Sequence, residues 1–299
     1  MGVLDRAIVR VLPAVPRPVV RRLSSHYIAG PEIEDALRVV TELDAEGKLA
    51  TVDVLGEEIT QASEAREIAQ TYLAALEAFG RAGLDANVSV KLTGLGLKLD
   101  PALCKENLEA IAASGNFVRI DMEDSSTTDA TLGLYHELKE AGYDNLGVVL
   151  QAALRRTEDD ARALAGANVR LCKGIYVEPV ELAYRGFEEV RKSYVRTLGI
   201  LLDGGCYVGI ATHDHWLVEQ GERTVRERGL QPAEYEFQML LGVRPELGDR
   251  LVAAGHRLRI YVPFGRQWYE YSLRRLQENP KVAVYIATDT LKRLVPGLG

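Results

Sequence analysis

A closed (β/α)8 barrel is the fold the sequence predicts, and three observations predict it. Eight short β-rich stretches alternate with longer amphipathic or polar ones, which favours parallel βα units. Successive stretches begin 22 to 39 residues apart, room for a strand and a crossover helix each time. No Pro/Gly/Ser-rich linker divides them, and 299 residues suit one barrel of this kind.

Residues 1–48 read as an N-terminal helical segment packed on the barrel, and 49–299 as the barrel itself. In order, the predicted strands are Leu49–Leu55, Asn87–Lys91, Phe117–Met122, Leu146–Gln151, Asn168–Lys173, Tyr207–His213, Tyr235–Leu240 and Arg257–Pro263. Between the first two, Ile68, Leu73, Leu76 and Phe79 recur at near-helical spacing within Gln61–Gly83. Asp100 followed by Pro101 starts another helix with a capping oxygen and a preset first φ. An open doubly wound sheet is the runner-up, but Gly94-Leu95-Gly96 lacks the third glycine of the dinucleotide fingerprint, and no Gly-x-x-x-x-Gly-Lys-Ser/Thr loop occurs.

Composition narrows the function. With 47% hydrophobic and 26% charged residues the chain has the make-up of a soluble globular protein. A formal net charge of -7 repels polyanions, so no nucleic-acid partner is expected. Cys104, Cys172 and Cys206 form neither a disulfide framework nor a zinc pattern and read as small core residues of a cytoplasmic protein. No apolar run reaches membrane-spanning length. Residues 1–35, with Pro13, Pro16, Pro18 and Arg21-Arg22, offer a peripheral contact to an anionic membrane surface, a packed N-terminal helix being the plainer reading.

Catalytic groups of such barrels gather where the strands end. There the sequence places Lys91; Asp121, Glu123 and Asp124; Gln151; Arg170 and Lys173; Thr212, His213 and Asp214; and Tyr261. Charges inside apolar β runs are costly unless paired, so this recurrence points to a polar site, although Lys91 could simply pair with Asp121 and Gln151 satisfy a loop backbone. Arg170, mid-strand, calls for an anionic or electron-rich partner. Lys173-Gly174 suits phosphate, because glycine lets backbone N–H groups approach closely. His213-x-His215 is a metal-like spacing and keeps a metal-dependent barrel hydrolase in view, yet His26, His136 and His256 lie at no predicted strand end, so no metal site is expected. On the last helix Arg274 and Glu278 share a face beside Arg275, either a solvated ion pair or a grip for a zwitterion.

The segments VSVKLTGLG, RIDMED, VVLQAALRRT, VRLCKGIYVEP, IATHD, YEFQMLLGVR and RIYVPFG followed by LRRLQEN are together similar to the proline dehydrogenase family, in its monofunctional form. The resemblance implies a distorted (β/α)8 barrel holding FAD, which oxidises L-proline to Δ1-pyrroline-5-carboxylate and passes electrons to a membrane quinone, with hand-over of product to pyrroline-5-carboxylate dehydrogenase. By that resemblance Arg274 and Arg275 clamp the proline carboxylate, Lys91 completes the ionic cage and Asp121 supports it. Glu278 pairs with a clamp arginine, and Tyr261 walls the proline pocket. Arg170 sits at the flavin N5 edge, while Met122, Gln151, Lys173, Gly174, Ile175, Thr212 and His213 match flavin-contacting positions. The family favours alanine where this chain has Ile175. A non-catalytic docking barrel is a further alternative.

Overall fold

The computed structural model describes residues 26–56, 59–269 and 271–272. Eight parallel strands close on themselves in sequence order: β1 (Leu49–Val54), β2 (Ala86–Val90), β3 (Val118–Ile120), β4 (Leu146–Gln151), β5 (Asn168–Cys172), β6 (Tyr207–Ala211), β7 (Tyr235–Leu240) and β8 (Leu258–Phe264). β8 returns to β1, with Leu49 opposite Arg259 and Val54 opposite Phe264. Every predicted strand is present, within two residues at each end. β3 is the most shortened, because the chain leaves the ladder at Asp121, whose amide still reaches the Val90 carbonyl at 2.9 Å.

The α-helices packed around the barrel among the described residues include α1 (Ile33–Ala45), α2 (Ala62–Arg81), α3 (Pro101–Ala112), α4 (Thr128–Glu140), α5 (Thr157–Ala163), α6 (Phe187–Asp203), α7 (His215–Glu227) and α8 (Pro245–Ala253). Their starts are written locally. The Asp100 carboxylate accepts from the amides of Ala102 and Leu103 ahead of Pro101, as expected from that pair. Asp214 does the same for Trp216 at the head of α7. α1 buries Ala36, Val39, Val40 and Leu43, and the segment before it is pinned to β8 by Ala29 N–H to the Pro263 carbonyl at 2.9 Å.

Apolar and polar positions alternate along most of the strands, Val148-Val149-Leu150 of β4 being an exception, and this decides where the core lies. Residues such as Val52, Val88, Ile120, Leu171, Ile210 and Phe237 are buried outward, in one apolar cluster with Tyr72, Phe79, Leu108, Leu138 and Leu198 of the helices. Burying each such side chain is worth about 1.5–3 kcal/mol, so the shell between sheet and helices carries the stability. The inward positions are polar instead: Asp53, Ser89, Arg119, Arg170, Glu236, Gln238 and Arg259 are all buried. Two glycines make space for this interior. A Cβ on Gly147 would lie 2.5 Å from Arg119 Nη1, and one on Gly209 2.5 Å from Gln238 Nε2. Among the described residues no helix is long and apolar enough to cross a membrane.

Candidate active site

The inward side chains form two storeys. In the lower one, near the strand beginnings, Arg259 Nε donates to Glu236 Oε1 at 2.9 Å and its Nη1 to the Ala50 carbonyl at 2.7 Å. Arg119 reaches across two strands to the Val148 and Asn168 carbonyls at 3.2 and 2.8 Å. Burial, with Arg170 as a like-charged neighbour, lowers the Arg119 guanidinium to about 9. Burial pushes Glu236 upward, but Arg259, with Arg119 and the hydrogen bond from Gln238, holds the carboxyl below its ordinary value.

The upper storey is built around Asp121. Arg170 Nη1 donates to Asp121 Oδ1 at 2.7 Å and to Ser89 Oγ at 2.9 Å, while Ser89 Oγ itself donates to Asp121 at 2.6 Å. The Tyr261 hydroxyl donates to the other carboxylate oxygen at 2.9 Å and accepts from Lys91 Nζ at 2.9 Å. Burial raises the pKa of Asp121, yet Arg170 and Lys91, with the hydrogen bonds from Ser89 and Tyr261, bring it below the usual carboxylate range. Tyr261 is pushed up by burial and then by Asp121, so its phenol keeps its proton. Both cations lie near its ring, Arg170 at 5.3 Å and Lys91 at 5.6 Å from the centroid.

Two expectations need correction, and the pairing of Lys91 with Asp121 holds beside a closer one. Tyr261 is not at a strand end; it lies within β8, opposite Thr51 of β1, and its long side chain carries the hydroxyl toward Asp121. Lys91 pairs first with Asp53, at 2.7 Å, and only at 3.7 Å with Asp121. Asp53 was invisible as a site residue because it sits inside the apolar run of β1. It is also met by the Tyr72 hydroxyl at 3.2 Å. Cys172 is less enclosed than Cys104 and Cys206, the two cysteines that are core residues.

The remaining expected residues lie along the rim. Gln151 Nε2 donates to the Glu123 carbonyl at 2.7 Å, the plainer of its two readings, which leaves its side-chain oxygen facing Gly174. Met122 and Thr212 are buried, and Thr212 Oγ1 accepts from the Asp214 amide at 3.1 Å. Lys173 is half exposed, 3.8 Å from Asp214. Gly174 has φ +94°, a conformation glycine adopts without strain, and Ile175 is exposed beside it. His213 Nε2 accepts the Leu240 amide at 2.9 Å, so the neutral ring carries its proton at Nδ1. Burial, then Lys173 and Arg244, lower its pKa to about 4. His215 opens α7 in an exposed position. Among the described residues no group of three or more His, Cys, Asp or Glu side chains is gathered to hold a metal ion. Arg274, Arg275 and Glu278 lie outside the described residues.

Fold and mouth together define a (β/α)8 barrel whose C-terminal rim presents two cations braced by buried carboxylates. The family model described as proline dehydrogenase matches residues 36–287. The chain is 35% identical over 300 residues to a proline dehydrogenase of Deinococcus radiodurans, covering 94% of this chain and 97% of that protein. It is 34% identical to proline dehydrogenase 1 of Bacillus subtilis, covering 89% of this chain and 90% of the relative. Among solved structures, proline utilization A (PutA) from Bdellovibrio bacteriovorus inactivated by N-propargylglycine superposes with a TM-score of 0.80 at 24% identity, over 91% of this chain but 36% of that much longer one. PutA from Corynebacterium freiburgense gives 0.75 at 22% identity, over 95% of this chain and 34% of its own. The chain belongs to the proline dehydrogenase family, whose members are oxidoreductases acting on proline.

Proposed function

We propose that the protein oxidises L-proline to Δ1-pyrroline-5-carboxylate with FAD held at the barrel mouth, and that a quinone takes the electrons. The observation that carries this reading is the Arg170–Asp121–Tyr261–Lys91 frame, which fixes two cations and a phenol around one carboxylate at the open end of the barrel.

The residues present suit FAD. Arg170 offers a guanidinium to an electron-rich ring edge, Lys173 a point charge and Gly174 a closely approachable backbone for phosphate. The exposed Ile175 and Leu240 offer apolar contact, and His213 has an Nδ1 proton to donate. Met122, Gln151 and Thr212 complete the proposed cradle. When bound, FAD supplies the acceptor for a hydride leaving C5 of proline. The protein's own work is positioning and exclusion of water. Asp121 holds Arg170 and Tyr261 in one fixed arrangement, Tyr261 forms a wall beside the substrate ring, and Lys91, already balanced by Asp53, contributes N–H donors more than net charge. Arg274 and Arg275 grip the substrate carboxylate, and Glu278 pairs with one of them.

The quinone acceptor and a hand-over of product to pyrroline-5-carboxylate dehydrogenase follow from the family, while a cytoplasmic location with peripheral contact at the inner face of the membrane rests on the cysteine usage and on residues 1–35; all belong to the same proposal. Purified protein should show a flavin absorbance spectrum that bleaches on anaerobic addition of L-proline. A colourless preparation that takes up no added FAD would overturn the reading.

A further inference from the structure

We infer that Gln238 is a positioning residue for Arg170, coupling the ion pair at the base of the barrel to the guanidinium at its mouth; this rests on the function proposed above. Gln238 lies inward on β7 and is 4% exposed. Its Oε1 accepts from Arg170 Nε at 2.5 Å, and its Nε2 donates to Glu236 Oε1 at 2.5 Å. Glu236 in turn is bound by Arg259, whose Nη1 is anchored on the Ala50 carbonyl.

The direction of this amide is not a matter of choice. Arg170 Nε can only donate and the Glu236 carboxylate can only accept, so oxygen must face the one and nitrogen the other. No other short side chain satisfies both ends. A carboxylate at 238 would confront Glu236, and an aliphatic group would leave a buried N–H and a buried carboxylate oxygen each short of a partner. The surroundings are fitted to it: Gly209 leaves the space its amide occupies, and the Gln238 carbonyl receives the Thr212 amide at 3.3 Å on the rim.

Arg170 is thereby held from two sides. Asp121 and Ser89 take Nη1, and Gln238 takes Nε. One contact alone would leave the planar guanidinium free to swing about it. Two fix its plane and so fix which N–H groups point out of the barrel toward bound FAD.

The test is a double-mutant cycle on FAD-loaded protein, with Gln238→Leu and Arg170→Lys made singly and together. Gln238→Leu should slow anaerobic flavin reduction by saturating proline on the order of tenfold, the lower end of what a hydrogen bond to a charged group is worth. It should also lower the midpoint potential of bound FAD, read by dye equilibration, while leaving the proline concentration for half-maximal reduction little changed. In the Arg170→Lys background the same change should add no more than about a twofold effect, since its route is already removed. Gln238→Met, which fills the space without either hydrogen bond, guards against misfolding of the leucine variant and should behave alike. Effects that multiply across the cycle, or a melting-temperature loss with unchanged potential and reduction rate, would overturn the inference. So would loss of FAD from both variants while the parent retains it. Failure of the parent itself to bind FAD would instead sink the proposed function.

Discussion

Lys91 lies 2.7 Å from Asp53, a buried residue, a full ångström closer than it lies to Asp121 at 3.7 Å. The ammonium therefore enters the mouth of the barrel braced by a carboxylate from below, with a donor turned to the Tyr261 hydroxyl at 2.9 Å.

Asp53→Asn should destabilise the protein by about 3–5 kcal/mol, the usual cost of leaving one member of a buried pair uncompensated. Asp121 stands farther from Lys91, at 3.7 Å, and is already paired with Arg170 at 2.7 Å. Urea unfolding of the parent and variant measures the difference, and a variant within 1 kcal/mol of the parent would mean that Asp53 is not the principal counter-ion (roughly the worth of an exposed pair).

Gly147→Ala should cost about 1–3 kcal/mol through overpacking, and more than Gly209→Ala. The new methyl at 147 would stand 2.5 Å from Arg119 Nη1, 2.6 Å from the Phe117 ring and 2.7 Å from the Asn168 carbonyl, a backbone atom, whereas at 209 its close contacts are all with the one side chain of Gln238. Denaturation midpoints of the two variants should fall in that order; the reverse order would contradict the packing described.

His213 gives a pH signature. With its folded pKa pushed down to about 4 from 6.5, the native ring stays neutral while the unfolded chain takes up a proton. Its contribution is fully present above pH 6.5 and is lost as pH falls toward 4, at most roughly 3 kcal/mol. His213→Gln keeps an acceptor for the Leu240 amide but cannot titrate. The stability of the variant should fall less steeply than the parent's between those pH values, and parallel curves would refute the assignment.

Arg274→Met and Arg275→Met test the proposed clamp. A charged hydrogen bond to a carboxylate is worth about 1.5–3 kcal/mol, so each change should weaken binding of a proline-like inhibitor roughly 10- to 150-fold. An analogue lacking the carboxylate should bind parent and variants alike. If both variants hold the carboxylated inhibitor as tightly as the parent, the substrate grip lies elsewhere.

The barrel was legible because its strands are regular and its crossovers fall within a narrow range of lengths. The rim residues were legible for the same reason: once the strand ends are placed, Lys91, Asp121 and His213 fall where chemistry is expected. Asp53, Arg119, Glu236, Gln238 and Arg259 lie lower in the barrel, away from the strand ends. A signal was nonetheless present. Thr51-x-Asp53, Arg119-x-Asp121, Glu236-x-Gln238 and Arg259-x-Tyr261 repeat with a period of two, whereas strands of a parallel barrel packed with aliphatic groups on both faces would read as nearly unbroken apolar runs. Which of those polar residues meet across the barrel depends on stagger between strands far apart in sequence, and no local pattern encodes that.

The polar lining of the barrel also sets how this protein can change. On the outer faces of the strands, valine, isoleucine and leucine can be exchanged one at a time, each swap judged on volume alone. Inside, Arg259, Glu236, Gln238, Arg170 and Asp121 are joined end to end, and altering any one strands its neighbour's charge or donor. Variation there must come in matched sets, which makes the interior a poor place for single-site engineering.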